Sequence, residues 1–572
     1  MRKFIKYTTI VLAFAGMVAC NMLEPVDENR LTIDYIGSDP ETAEGILLQG
    51  YTSLNDQFIF SEAGTDDAVN NQQSNGYKRM ANGELTAQYN PASNWTKYEK
   101  VFYLNQFIDI VEEGEVLWNR DAEINELFNE RLKGEALALR GLYHFYVLQA
   151  HAGKSASGEL LGIQYFTEFI GSDGDFNLPR LSFEATVEAI MADFDEALDL
   201  LPTDYSDSEA DVDAKYSNVD FEKYKVVNGS QYDLRISGRI VKALKARLAL
   251  FAASPSFLNG AGYYEIAANL SSEVLSTIGG TSGLVAGGVE FYTSDNGKDS
   301  GEMLWRGSIG SNSSTYEARM FPPSVNGKGE INPTHNLVMA FPMKSGLPAT
   351  EENGFDPQNP YANRDPRLAK YIVLNGSSFG GGTINTGFGG GIDRLDSISE
   401  QSTTTGYYLK KLLRPDVRIN NDGSTVGKPH YDVYFRYTEL FLILAEAANE
   451  IGGPNYSVNG ISAMDVISAI RKRAGITQPD AYLATVSTKE AMRELIRNER
   501  RLELCFEGHR FWDLRRWGLS LTETAKGYFH DGTAYVEIPA VETRNYPSYA
   551  TYMPIPYQEV LKYSELVQNS GW

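Results

Sequence analysis

Cysteine is nearly missing from this sequence. Only Cys20 and Cys505 occur in 572 residues, so the chain holds at most one disulfide and a disulfide-stapled architecture is excluded. Positive charge is also scarce: 51 Lys and Arg stand against 75 Asp and Glu, a net charge of −24. A body that acidic repels nucleic acid and anionic membrane, so neither a nucleic-acid partner nor a basic membrane patch is expected. After the first twenty residues, no apolar run approaches membrane-spanning length. The six histidines (His144, His151, His335, His430, His509 and His530) fall in no H-E-x-x-H or similar spacing, so no zinc site is expected. The glycine-rich stretches lack G-x-G-x-x-G and the Lys-Ser/Thr of a phosphate loop, and no cofactor is expected.

The N-terminus reads as an address. Arg2, Lys3 and Lys6 form a basic n-region and Ile10 to Ala19 an apolar stretch too short to span a bilayer, the pattern of an export signal over residues 1–19. Val18-Ala19-Cys20 matches a bacterial lipobox, which makes Cys20 the expected lipidation site. Removing the signal takes away three basic residues and no acidic one, leaving 48 positive against 75 negative, or −27. Cys505 then stands alone, no intrachain disulfide is possible, and stability must come from the core. A lipid, rather than charge, would hold so acidic a body at a membrane.

What is present is helical periodicity. Steps of three and four run through Leu132, Ala136, Leu139, Tyr143, Tyr146, Val147 and Ala150, and through Val187, Ile190, Met191, Phe194, Ala197, Leu198 and Leu201. Ser182 is the expected N-cap of the second helix and Pro202 its stop. Ile236 to Ala253, Tyr434 to Ile451 and Ile461 to Ala474 continue the theme, the last closed by Gly475. Ser487 and Glu490 have capping-box spacing ahead of a further helix. Small residues at Gly134, Ala136, Ala138, Ala243, Ala246 and Ala249 suit close helix crossings, so stacked antiparallel pairs of the tetratricopeptide type are expected, without a strict 34-residue repeat. Between the pairs lie polar stretches: Asp66 to Asn94, Thr203 to Gln231, Gly279 to Gly329 with a strand expected over Met303 to Ile309, and Gly376 to Gly391 with eight glycines in sixteen residues. The expected fold is mainly α: one globule over 20–572, divided near 230 into an N-terminal and a C-terminal region, with a large irregular, loop-rich face and few short strands.

Several clusters invite a chemical reading. Asn498 to Gly518 carries Glu499, Arg500, Glu503, Glu507, His509, Arg510, Asp513, Arg515 and Arg516. Its acids recur every four residues among Leu502, Phe506, Phe511, Trp512, Leu514 and Trp517, so partly buried charges paired with Arg side chains of the same run are expected, in a structural rather than a catalytic role. Asp173-Gly-Asp-Phe-Asn followed by Glu184 imitates part of a calcium loop. It lacks the glycine at the sixth position, where Leu178 stands, and no metal is expected. With 34 Tyr and 27 Phe the chain is rich in rings, most of them for packing. The expected ligand contacts are side chains with polar neighbours in two distant loops: Tyr77, Arg79, Tyr89 and Trp95 between Asp66 and Trp95, and Tyr316 and Phe321 between Ser308 and Gly329.

The sequence resembles the SusD/RagB family along nearly its whole mature length. The resemblance is carried by A-L-A-L-R-G-L-Y-H-F-Y from Ala136, D-P-R-L from Asp365, R-Y-T-E-L-F-L-I-L-A-E-A-A-N-E from Arg436, I-R-K-R-A-G-I from Ile470, the charged run, and M-P-I-P-Y-Q-E-V from Met553. It implies one globule with tetratricopeptide-like pairs, an outer-membrane surface location, an oligosaccharide ligand, and a SusC-like TonB-dependent transporter as partner, with no catalytic residues. A surface glycoside hydrolase and a peptide-binding lipoprotein are the alternatives, since any two of 75 acids can meet in space.

Overall fold

The computed structural model describes residues 39–55, 60–113, 116–171 and 174–572; Cys20, the signal segment and Asp173 lie outside the described residues. The long helices are α1 (Tyr98–Glu112), α2 (Ala122–His151), α3 (Phe183–Leu200), α4 (Gly238–Ala253), α5 (Ala261–Ser276), α6 (Tyr437–Gly452), α7 (Ala463–Ala474), α8 (Lys489–Glu503) and the short α9 (Arg510–Arg516). Each starts or stops for a local reason. Asp121 accepts from the amides of Glu123 and Ile124 at the head of α2, and Ser182 accepts from Ala185 at the head of α3, removing orphan donors of the first turn. Gly475, in the left-handed region at φ 91°, closes α7.

The helices pack in succession: α1 on α2, α2 on α3, α3 on α4, α4 on α5, α5 on α6, and α6 on α7 and α8. The crossing of α2 with α3 needs small residues. A Cβ at Gly141 would stand 2.9 Å from the Phe194 ring, and one at Gly134 the same distance from Leu201. The stack buries one continuous apolar core from Ala43 and Leu47 to Leu495 and Leu504. At 45% helix against 13% strand, the mainly α expectation holds.

The strands form two-stranded pieces only among the described residues. Those that position the site are β1 (Ala68–Asn70), β2 (Met303–Ser313), β3 (Ile331–Pro333), β4 (Lys428–Arg436), β5 (Ala525–His530) and β6 (Tyr535–Glu542). β1 pairs antiparallel with β3, Val69 opposite Asn332; β2 pairs with β4; β5 and β6 make a hairpin. A second core, including Phe60, Phe321, Phe379, Tyr407 and Tyr408, lies beneath this irregular half.

Three local expectations are corrected. The helix read from Tyr434 begins at Tyr437, because Tyr434 to Arg436 end β4. The strand read as Met303 to Ile309 runs on to Ser313. The cap of α8 is Thr488, which accepts from Ala491 at 3.2 Å, one residue beyond Ser487; the capping box stands instead at Ser462 and Asp465.

Candidate functional site

The charged run draws titratable side chains from several distant segments into one cluster. Glu499 and Glu503 are buried and meet arginines from distant segments. Arg471 lies 2.6 Å from Glu499, Arg367 lies 2.9 Å from Glu499 and 3.1 Å from Glu503, and Arg473 lies 2.6 Å from Glu503. Glu507 is held by Arg436 at 2.7 Å and Lys411 at 2.6 Å. Pairing within the run is therefore only part of the pattern. Arg500 and Arg516 share Asp513, while Arg501 and Arg510 reach Asp66, 2.8 and 3.0 Å away. Burial pushes the Glu503 carboxyl up, yet Arg473, Arg436 and Arg367 outweigh it and hold it at about 2. These carboxylates are paired and buried, so the run locks the seam between the helical stack and the irregular half. The segments that carry the family resemblance, from Asp365, Arg436, Ile470 and Asn498, meet in this network.

The irregular face is built on β1, β3 and the β5–β6 hairpin. Asn71 donates to the carbonyls of Lys328 and Gly329 at 3.0 and 2.8 Å. The amide of Gln73 donates to Glu400 at 2.9 Å, and Asn332 accepts from the Thr404 amide at 2.9 Å. The first polar loop, the end of the second, and residues 400–404 thus form one surface. Arg544 fastens the hairpin to it, donating to the carbonyls of Thr65 and Ala68 at 3.0 and 2.6 Å.

At the far end of that hairpin, the glycine-rich segment presents a ring. Asn375 accepts from the amides of Thr386 and Gly387, at 2.8 and 3.1 Å, and donates to the Tyr535 hydroxyl at 3.1 Å. The Phe388 amide donates to the His530 carbonyl at 2.8 Å. A side chain at Gly387 would strike that carbonyl, 2.7 Å from its Cβ, which explains the glycine. Phe388 is 71% exposed, the most exposed large apolar side chain among the described residues. Its ring lies beside the hairpin turn, 3.1 Å from where a Cβ on Gly532 would be, and Gly532 has φ 110°.

Beneath it runs an aromatic ladder. His335 stacks on Tyr528 at 4.3 Å and Tyr528 on Tyr535 at 5.5 Å, with Tyr361 and His530 edge-on to Tyr535 at 5.6 and 5.0 Å. Burial pushes the His335 imidazole down to about 4, with Arg364 and Lys526 adding to the effect, so it is neutral in the stack. The irregular half thus offers a solvent-facing ring at the hairpin turn that carries Asp531, and exposed amide and carboxylate groups at Gln73 and Glu400. Such a surface suits the apolar face and hydroxyl rim of a sugar.

The six residues expected from sequence do not converge. Phe321 is 1% exposed and packs edge-on against Phe379 at 4.9 Å; the expectation that it lacked packing partners is corrected. Tyr77 is half-buried, its ring 5.9 Å from Phe511, and burial raises its hydroxyl pKa. Trp95 packs edge-on against Tyr98 and His151 at 5.1 and 5.3 Å. Tyr316 meets Phe60 and His430, each at 6.2 Å. Arg79 and Tyr89 do come together: the guanidinium sits 4.6 Å over the ring and bonds Glu84 at 2.9 Å. They remain a half-exposed pair. Sequence reasoning missed Phe388, although a phenylalanine within G-F-G-G-G has nothing local to pack on.

Gly376 to Gly380 reads G-x-S-x-G, but Ser378 lies in a β-hairpin paired with Thr383, not at the strand-to-helix turn of an esterase elbow. No group of three or more His, Cys, Asp or Glu among the described residues is placed to hold a metal. No helix among them is long and apolar enough to cross a membrane.

Comparison with known proteins gives consistent likenesses. A family model described as SusD family matches residues 291–572, and one described as starch-binding associating with outer membrane matches residues 43–218. SusD-like protein P25 of Formosa agariphila is 28% identical over 208 residues, 34% of this chain and 35% of that protein. SusD-like protein P38 of the same organism is 31% identical over 124 residues, 19% of this chain and 23% of that one. The chain therefore matches about a third or less of these relatives' lengths. Among solved structures, a SusD-like protein from Bacteroides fragilis superposes with TM-score 0.73 at 24% identity, covering 96% of this chain and 100% of that one. A SusD-like carbohydrate binding protein from the same species gives 0.69 at 20%, covering 93% and 99%. Surface glycan-binding protein A from Bacteroides fluxus gives 0.60 at 18%, covering 94% and 100%. At these identities the structures establish a shared fold.

Proposed function

Because this chain belongs to the SusD/RagB family, we propose that it captures oligosaccharide at the outer membrane and passes it to a SusC-like TonB-dependent transporter without chemical conversion. The observation that carries the reading is Phe388, a ring 71% exposed on a loop held in place by Asn375 and the His530 carbonyl. An aromatic ring in water costs free energy, and stacking against a sugar face recovers it. Gln73, Glu400 and Asp531 supply hydroxyl partners along the face, with the Arg79–Tyr89 pair as a further platform. Relatives of the same fold are described as carbohydrate binding and surface glycan-binding, which supports the assignment.

Residues 1–19 act as the export signal in this reading, Cys20 carries the lipid, and 20–572 forms one globule. Tethered beside a transporter, even a weak binder raises the ligand's effective concentration at the pore. A binding role without turnover fits the acids of the face, since Asp531 caps its own turn through Thr533 and Ala534 and Glu400 holds Gln73.

A glycan array on the full-length protein tests the proposal, followed by a reducing-end release assay on each bound glycan. Binding without release is the expected result. Release of reducing ends would favour a surface hydrolase, and binding to peptides but no glycan would favour peptide capture.

A further inference from the structure

Glu62 is a buried carboxyl with no cation of its own. It lies in the tight turn Ser61–Gly64, just ahead of β1, and is 0% exposed. Its Oε1 accepts from the Gly508 amide at 3.0 Å, while its Oε2 has no hydrogen-bond partner. That bond joins the start of the first polar loop to the segment between α8 and α9. The turn is also tied to the irregular face, since Tyr546 donates to the Gly64 carbonyl at 2.7 Å and Arg544 to that of Thr65 at 3.0 Å. We propose that Glu62 is held there as the neutral acid and that losing its proton opens this joint, a pH-sensitive device built into the seam.

The case rests on where the surrounding charges are spent. Lys411 gives its three protons to the carbonyls of Glu503 and Cys505, at 2.8 and 2.9 Å, and to Glu507 at 2.6 Å. Arg501 bonds Asp67 at 2.7 Å and Asp66 at 2.8 Å, and both contacts of Arg510 go to Asp66 at 3.0 Å. Lys78 turns to Glu542 and the Asn70 carbonyl. Arg515 donates to the Phe511 carbonyl and sits 3.6 Å over that ring. Glu62 forms no ion pair among the described residues. Two further neighbours are uncharged: burial pushes the Cys505 thiol up to about 12 and raises the Tyr77 hydroxyl above its usual range. Asp67, whose own carboxyl is raised by burial against the pull of Arg501, adds repulsion. A dry carboxylate in such company is costly, and the neutral acid is not.

The other side of the joint is poised to move. Phe506 has φ 64° and Gly508 φ 78°, and the left-handed region is sterically costly for a bulky side chain such as Phe506. An ionised Glu62 would gain from the Gly508 amide but remain dry, and only hydration, with the two turns parting, relieves it. The sign follows from the direction of the shift. Burial, with Asp67 adding to it against the Gly508 amide and Lys411, raises the Glu62 carboxyl from 4.5 to about 7. Its contribution to stability is therefore fully present below pH 4.5, falls as pH rises, and is gone above about 7. This is the reverse of the dependence expected for the paired Glu503, and it holds whatever ligand the irregular face takes.

Thermal melting of the full-length protein in detergent, wild type against Glu62→Gln, tests the device between pH 4.5 and pH 8. Glutamine imitates the neutral acid and cannot ionise, and every other titration is common to the two proteins. The melting temperature of Glu62→Gln should gain on wild type as pH rises, by about 2–3 °C over the range for a chain of 572 residues. Hydrogen exchange, corrected for the intrinsic rate at each pH, should show the segments 61–65 and 504–508 losing protection above pH 6 in wild type and keeping it in Glu62→Gln. A melting difference that is constant across the range, or that turns in favour of wild type at high pH, overturns the proposal. Should Glu62→Gln fail to fold, exchange in wild type decides: selective loss of protection in the two segments supports the device, and unchanged protection up to pH 8 overturns it.

Discussion

Replacing Glu503 with alanine removes one negative charge from the middle of the buried seam. Its side chain is 2% exposed, with Arg473 at 2.6 Å, Arg367 at 3.1 Å and Arg436 at 3.7 Å. The substitution leaves these guanidiniums short of an acceptor in a dry setting. Two routes give its size. The carboxyl pKa falls from 4.5 to about 2 in the fold, which by linkage is about 3 kcal/mol at neutral pH. Breaking a buried ion pair by removing one partner costs about 3–5 kcal/mol. At about 2.1 cal/mol/K of unfolding entropy per residue, a chain of 572 residues should then melt about 2–4 °C lower. The pH dependence has a definite sign. A carboxylate depressed in the fold contributes fully above 4.5, and its contribution is lost as pH falls toward 2. The stability gap between wild type and Glu503→Ala should therefore be largest near pH 7 and shrink steadily below pH 4.5. Urea denaturation and calorimetry at pH 7 and pH 3 read this directly. Equal midpoints at pH 7 would refute the structural reading, and intact stability with lost glycan binding would move the run into the functional site.

Phe321→Ala should lower stability by about 3–5 kcal/mol, as for other buried rings, in denaturant titration, because Phe321 packs in the core against Phe379. Gly141→Ala should cost about 1–3 kcal/mol by pressing on Phe194, and a melting point equal to wild type would show that the α2–α3 crossing has slack. Cys20→Ser should release soluble or unprocessed protein on membrane fractionation; recovery with the membrane as in wild type would place the anchor elsewhere.

The scaffold was legible because helices write their burial into a local period. The steps from Leu132 and Val187 found α2 and α3, and Ser182 and Gly475 marked ends where backbone groups need partners. Boundaries slipped where tertiary structure overrode the local signal, as at Tyr434, whose apolar stepping continues a helix while its backbone pairs with β2. The structural role of the charged run was visible in its apolar neighbours. Most of its partners were not, since Arg367 and Arg471 are set beside Glu499 by the fold alone. The fold joins the two polar loops through Asn71 and the β1–β3 pair, a contact between distant segments that no local pattern announces. Individual contacts were misjudged because polar sequence neighbours do not reveal what a ring meets across the fold. Tyr77 meets Phe511, and Phe321 meets Phe379. Phe388 carried the opposite signal, a ring among glycines, whose meaning depends on the hairpin tip that holds it outward.

The claim that the irregular face captures glycan is tested most directly by isothermal calorimetry of wild type and Phe388→Ala with the tightest glycan from the array. The account predicts a loss of about 1 kcal/mol or somewhat more, a several-fold to tenfold weakening, with the melting temperature unchanged because the ring is 71% exposed. Wild-type affinity in Phe388→Ala, with the fold intact, would contradict it.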